Sequence, residues 1–189
     1  MVEKTKARIM DATRIRRVLA RVSTEIIERN RKLKNLVIVA VKPRGLAIGR
    51  RIAHMVKDLE GIDVPVGLLD ITPYRDDVPE RPPQSPLDAA ALGFSVAKKD
   101  VLLVDDVLMT GRTIRAAMDA LIGRGRPQSV QLVVLVDRGH RELPIRPDYV
   151  GKVLPTSHRE RVRVRLRETD GSEEIVIAEP VKIGRAGKR

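Results

Sequence analysis

The stretch VLLVDDVLMTGRT, residues 101–113, decides how this chain is read. Val101, Leu102, Leu103 and Val104 form an apolar strand, and Asp105 and Asp106 follow at its carboxyl end. Val107 leads on to a turn containing Thr110, Gly111, Arg112 and Thr113, which opens a helix. Backbone N–H groups of such a turn are unpaired donors at the positive end of the helix dipole, a ready anion site. Thr110 and Thr113 add hydroxyl donors, and Gly111 lets the backbone approach a phosphate closely. The paired carboxylates suit the hydroxyls of a sugar, or a divalent cation held beside it. Singly, each residue reads as loop polarity or a simple helix cap. As one string, with strand before and helix after, they supply the context that phosphate binding requires.

Working outward, the same alternation recurs. NLVIVAV (35–41) is a β-branched run typical of a strand buried on both faces. It ends at KPRG (42–45) and is followed by a helix, LAIGRRIAHMVKDLEG (46–61). VPVGLLDI (64–71) reads as a second strand, KKDVLLVDDV (98–107) as a third and VQLVVLVDRG (130–139) as a fourth, with the helix TIRAAMDALIGRG (113–125) between the last two. Residues 11–34 carry Ile15, Val18, Leu19, Val22, Ile26 and Ile27 at helical spacing, with Asp11 or Thr13 as cap. HRELPIRPDYVGKVLPTS (140–157) reads as irregular. RVRVRLRE and EEIVIAE alternate about Asp170-Gly171 as a C-terminal β-hairpin, with Arg161, Arg163, Arg165 and Arg167 on the exposed face of an edge strand. Prolines 73, 79, 82, 83 and 86 make residues 72–91 a long loop, functional by its length. Together these patterns predict an α/β fold with an open, mostly parallel sheet flanked by helices, spanning residues 1–181, and a basic tail at 182–189. Ligands of such sheets bind beyond the carboxyl ends of the strands.

Composition narrows the class. With Tyr74, Tyr149 and Phe94 as the only aromatics, the core is built from aliphatic side chains. Absence of Cys excludes disulfides and thiolate metal sites, and points to an intracellular, cytoplasmic setting. No apolar run is long enough to cross a bilayer, so no membrane partner is expected. The three histidines form no metal triad. A net charge of +12 attracts polyanions, although charge alone does not separate a nucleic-acid surface from a solvated basic face.

The 101–113 string resembles the signature with which type I phosphoribosyltransferases bind 5-phosphoribosyl-1-pyrophosphate (PRPP). DITPYRDD (70–77), MDALIGRGRP (118–127) and VLVDRGHRELPIRPDYVGKVLPTS (134–157) further resemble the bifunctional pyr operon regulator and uracil phosphoribosyltransferase (PyrR) family, from the first helix almost to the C-terminus. The resemblance implies the type I phosphoribosyltransferase fold with a small hood. It implies formation of UMP and diphosphate from uracil and PRPP with Mg²⁺ bound mainly through substrate, and UMP-dependent binding of the pyr mRNA leader by a homodimer or homotetramer. Asp105 and Asp106 would contact the ribose hydroxyls, and Thr110, Gly111, Arg112 and Thr113 the 5-phosphate. Pro43, Arg44 and Gly45 would form the diphosphate loop, and Val136, Asp137 and Arg138 the uracil hood. Residues 72–91 would form a flap, hinged near Tyr74, Arg75, Asp76 and Asp77. Arg14, Arg17, Arg21 and Arg29 with His140, Arg141, Arg146 and Lys152 would face RNA.

This chain departs from the family pattern at several points. Pro43 stands where the diphosphate loop usually has Thr, and Met109 where the family has Tyr. Ala20 and Thr24 occupy positions of a Thr and a His on the RNA-facing helix. Three further readings therefore stay open: a PRPP- or UMP-sensing regulator with little turnover, a phosphoribosyltransferase that has lost RNA binding, and one acting on another base.

Overall fold

A computed structural model describes residues 3–41, 44–71 and 92–180. The expected parallel sheet is present. Its strands are β2 (Leu36–Val41), β3 (Val66–Leu69), β4 (Asp100–Leu108), β5 (Ser129–Asp137) and β6 (Tyr149–Val153), in the order β3-β2-β4-β5-β6. Period-two alternation divides each strand between two cores. Ile38, Leu102 and Val104 face one core with Ile15, Leu19, Ile48 and Ile52 of the helices α1 (Ala12–Arg29) and α2 (Arg44–Glu60). Val37, Val39, Val101 and Leu103 face the other, with Ile114, Ala117 and Leu121 of α3 (Arg112–Ile122). All six residues of β2 are buried, as its unbroken β-branched run requires. Asp11 caps α1 by accepting the Arg14 amide at 2.8 Å, which settles the choice of capping residue.

Three differences from the sequence reading have physical causes. Residues 3–11, read only as a charged lead-in, form β1 (Glu3–Asp11). It pairs antiparallel with β8 (Glu174–Pro180), which also pairs with β7 (Arg161–Arg165), giving a second sheet in the order β1-β8-β7. Two register shifts interrupt the β1 pairing, and only Met10 of β1 is buried, so no clean alternation marked it. Its side chains reach across instead. Glu3 accepts from Arg161 and Arg163, and Lys6 donates to Glu160 and Glu179.

The segment 140–157, expected to be irregular, contains β6. Tyr149 there is fully buried, and Gly151 takes the place where a Cβ would lie 2.4 Å from the Leu135 carbonyl oxygen and 2.9 Å from Val18. The glycine that made the segment look like loop is what lets α1 seat on the strand. Finally, β7 and β8 form the expected hairpin, but not around a two-residue turn. A short helix, α4 (Arg167–Asp170), joins them and ends at Gly171 with φ 68°. The Asp170 carboxylate accepts the Leu166 amide and the Thr169 hydroxyl, which closes one helical turn. Arg161 and Arg163 are exposed on the edge strand as read, whereas Arg167 lies in α4. The expected flap (72–91), Pro43 and the tail (182–189) lie outside the described residues.

Candidate active site

The sheet order reverses between β2 and β4: β2 leads to β3 on one side, and β4 leads to β5 on the other. Two helix N-termini therefore open at neighbouring strand ends, α2 after β2 and α3 after β4. A crevice at this position is where open α/β sheets bind ligands.

Asp105 and Asp106 lie in the last part of β4. Asp105 is 5% exposed, and Asp106 is partly buried. Each carboxylate caps the amide that follows it: Asp105 Oδ1 accepts from Asp106 N at 2.9 Å, and Asp106 Oδ1 from Val107 N at 3.0 Å. Burial pushes the Asp105 carboxyl well above the usual carboxylate range, and the neighbouring charge of Asp106 adds to the rise. Burial also raises Asp106, while a hydrogen bond from Asp105 and the Arg44 guanidinium oppose it. Burial thus favours the uncharged form of both acids, and anything offering hydroxyls or a cation will favour the ionised pair.

The turn beyond them is built for an anion. Gly111 is the N-cap of α3 with φ 92°, a conformation that disfavours any side chain, and it has none with which to cap the helix. The first helical bond there runs from Arg115 N to Gly111 O, so the Thr113 and Ile114 amides precede the intrahelical ladder. Arg112 N donates to Thr110 Oγ1 at 3.3 Å, and the Arg112 side chain donates to Glu142 at 2.7 Å. Glu142 N and Leu143 N both donate to the Thr110 carbonyl. Ile145 and Leu143 cover Gly111 so closely that an added Cβ would sit 3.3 Å from Ile145.

The loop after β5 is fastened to this turn. β4 and β5 run parallel with Leu108 opposite Asp137, and Val107 opposite Val136. Asp137 accepts the Gly139 amide and the Arg141 guanidinium at 2.6 Å. Arg141 also donates to the carbonyls of Met109 and Ile145, so one side chain ties strand end, Gly111 turn and covering loop together. Arg138 is buried and donates to Thr156 and to the carbonyls of Ser157 and Glu160.

At the second helix N-terminus, Gly45 packs against β4. A Cβ there would lie 2.6 Å from the Val104 carbonyl oxygen, immediately before Asp105. Arg44 beside it is gripped by Asp170, with Nη2 at 2.7 Å and Nε at 3.1 Å.

A family model described as the phosphoribosyl transferase domain matches residues 7–168. The chain is 55% identical over 176 residues to the bifunctional protein PyrR of Pelotomaculum thermopropionicum, covering 93% of this chain and 97% of that protein. Over 175 residues it is 53% identical to the bifunctional protein PyrR of Deinococcus radiodurans, covering 93% and 96%. The chain belongs to the PyrR family of phosphoribosyltransferases. Solved structures share the type I phosphoribosyltransferase fold. The hypoxanthine phosphoribosyltransferase of Staphylococcus aureus aligns with TM-score 0.70 at 22% identity, over 93% of this chain and 94% of that one. The corresponding enzyme of Trypanosoma cruzi aligns with TM-score 0.69 at 19% identity, over 94% and 98%. At these identities the likeness is one of fold.

Within this PyrR-family site, Asp105, Asp106, Val107, Thr110, Gly111, Arg112 and Thr113 lie on one strand and the turn after it, and Val136, Asp137 and Arg138 at the adjacent strand end. Arg44 and Gly45 open α2. Pro43, Tyr74, Arg75, Asp76 and Asp77 lie outside the described residues. Sequence reasoning missed three contributors. Asp170 was read only as a turn residue, and Glu142 and Ile145 only as parts of an irregular string. Their partners are 126, 30 and 34 positions away, so no local pattern announces them.

The eight basic residues assigned to RNA divide in two. Arg21 donates to the carbonyls of Val150 and Gly151, and Arg29 to that of Asp148 while stacking over Tyr149 at 5.2 Å. Arg141 is committed as above, and His140 contacts the Thr156 carbonyl and packs on His158. Arg14, Arg17 and Arg146 are exposed, and Lys152 is half-buried. Among the described residues no helix is long and apolar enough to cross a membrane.

Proposed function

We propose that this chain catalyses transfer of the 5-phosphoribosyl group of PRPP to uracil, releasing diphosphate and forming UMP. The observation that carries the reading is the Asp105–Asp106 pair at the end of β4, shortly before the left-handed Gly111 that opens α3. Each part has a task. Amides of the 110–113 turn and the Thr hydroxyls hold the 5-phosphate at the positive end of α3. The two carboxylates accept the ribose hydroxyls, and Arg44 at the head of α2 meets the diphosphate. The C1′ bond to diphosphate breaks as the bond to a uracil ring nitrogen forms, and that nitrogen loses its proton. No enzyme nucleophile is required. The protein's contribution is orientation and fixed charge around a developing cation at C1′.

The donor set fits Mg²⁺ as a companion of the substrate. Two adjacent carboxylates supply oxygen donors, while no group of three or more acidic, His or Cys side chains that could cage an ion occurs among the described residues. Asp105 and Asp106 would hold it through the ribose hydroxyls or water, and it would neutralise charge on the diphosphate leaving group.

In this reading Val136, Asp137 and Arg138 would choose the base. Both Asp137 and Arg138 side chains are tied to the protein, and Arg138 N donates to the Leu108 carbonyl, so the main-chain carbonyls of the segment, each with a second lone pair, would read the ring. Incubation with PRPP, Mg²⁺ and each base in turn, following diphosphate release, tests the reading. Uracil-dependent turnover is expected. Turnover with purines only would replace the substrate, and no turnover with tight UMP binding would make the protein a sensor.

RNA binding under UMP control, by a homodimer or homotetramer, completes the proposal. Arg21 and Arg29 fasten α1 to β6 and the residue before it, which brings the basic residues of α1 beside those flanking β6. Exposed Arg14, Arg17 and Arg146, with half-buried Lys152, are the cations left to meet phosphates. Filter binding with a pyr leader RNA, with and without UMP, should show preference over unrelated RNA and strong salt dependence. Equal affinity for both RNAs would reduce the face to non-specific attraction.

A further inference from the structure

The turn between β7 and β8 grips α2 at two points two helical turns apart. Arg44 in the first turn of α2 holds Asp170, and Arg51, two turns on, holds Glu168 and Glu173. Nothing in the local sequence of the hairpin suggests a role in substrate binding. Yet Arg44 stands at the crevice, and a second carboxylate, Asp106, also acts on it electrostatically.

We infer that Asp170 is a positioning residue for phosphoribosyl transfer: it holds the Arg44 guanidinium by one edge and presents the other edge to the diphosphate of PRPP. This rests on the phosphoribosyltransferase reading above.

The geometry of a guanidinium makes the argument. Nε and Nη2 face Asp170 as a fork, which fixes the plane of the group and leaves Nη1 without a partner among the described residues. A fork held on one side meets a phosphate without first losing the rotamer freedom of a long side chain. Asp170 is itself fixed, because it accepts the Leu166 amide at 2.9 Å and the Thr169 hydroxyl at 2.7 Å. With Asp170 gone, the carboxylate still acting on Arg44 is Asp106. Arg44 would turn toward the ribose position, leaving the diphosphate unclamped and blocking the acids that bind the sugar. Arg51 provides the internal control, since its bonds to Glu168 and Glu173 hold the same helix to the same hairpin without touching the crevice.

Titration calorimetry of the full chain with PRPP and Mg²⁺ tests this, comparing wild type with Asp170→Asn, Arg44→Lys and Glu168→Gln. Loss of a charge-assisted fork should weaken PRPP binding about 10-fold in Asp170→Asn. Arg44→Lys, which keeps the charge but not the fork, should lose a similar amount, and the double variant little more. Glu168→Gln should stay within about twofold of wild type, because exposed ion pairs carry little. In steady state, KM for PRPP should rise in Asp170→Asn while KM for uracil holds. Wild-type affinity in Asp170→Asn overturns the inference, and so does an equal loss in Glu168→Gln, which would mean that loosening the hairpin suffices. Failure of the wild type to bind PRPP would remove the phosphoribosyltransferase reading first, and this inference with it.

Discussion

The two sheets of this molecule are held by opposite means. The five-stranded parallel sheet is apolar on both faces, and the only carboxylate among its fully buried positions is Asp105 at the functional end. The β1-β8-β7 sheet buries apolar side chains chiefly on its central strand β8 and is charged on its outer strands. There Glu3 with Arg161 and Arg163, Lys6 with Glu160, and Arg165 with Glu174 tie neighbouring segments as ion pairs. In the first, a charge is costly and therefore concentrated where chemistry uses it. In the second, charges are cheap and serve as ties and as protection for the edge strand. Substitutions on the two sheets should accordingly differ in kind as well as in size.

The largest loss of stability should come from the parallel sheet. Leu103 on β4 is fully buried against α3. Leu103→Ala should cost about 2–5 kcal/mol, lowering the melting temperature by roughly 4–20 °C. A loss below about 1 kcal/mol would mean that this core collapses around the gap.

Next, Asp105→Asn with Asp106→Asn should separate function from stability. Two charge-assisted acceptors for the ribose would be lost, lowering kcat/KM by roughly 100-fold or more. Stability should move the other way. The folded-state values of both acids are raised, so wild type bears a penalty above that raised range which fades as pH falls toward the ordinary carboxylate values. The double variant should therefore melt higher than wild type at pH 8, with the gain vanishing near pH 4. The same shift predicts that PRPP with Mg²⁺ displaces a proton from wild type. Calorimetric enthalpies should depend on the buffer's ionisation heat and lose that dependence in the variant.

Gly111→Ala follows, at about 1–2 kcal/mol. Its φ of 92° penalises a side chain, and Ile145 leaves 3.3 Å for the new Cβ. Weaker PRPP binding should accompany the lower melting temperature, because the covering loop must shift from the phosphate turn. Unchanged affinity would show that the turn tolerates this shift.

The contrast between sheets also explains what the sequence disclosed. Buried parallel strands advertise themselves as unbroken aliphatic runs, so β2, β4 and β5 were legible to within a residue or two. The placing of the carboxylate pair and Gly111 was legible because strand, acids, glycine and helix are consecutive. β1 and β6 were not. Partners distant in sequence hold β1, and α1 closes over Gly151 of β6. Arg44 was legible as a cation beside a glycine, whereas Asp170 was not, because its role depends on a contact between chain segments that no spacing encodes.

The smallest effect lies on the charged sheet and tests the contrast most directly. Glu3 accepts from Arg161 and Arg163, and those two guanidinium groups hold its carboxyl below the usual range. Glu3→Gln removes the ionic part of that tie while keeping an acceptor of the same shape. The stabilisation at stake is present above the unfolded carboxylate value and lost as pH falls through the lower folded one. The variant should therefore melt slightly below wild type at pH 7 and low salt, and approach it as pH drops toward 3. Because these groups face solvent, 1 M salt should also erase most of the difference, whereas the Leu103→Ala deficit should survive unchanged. A Glu3→Gln deficit that persisted in high salt would mean that the β1 tie is packed rather than ionic. The antiparallel sheet would then be a second core and not a laced edge.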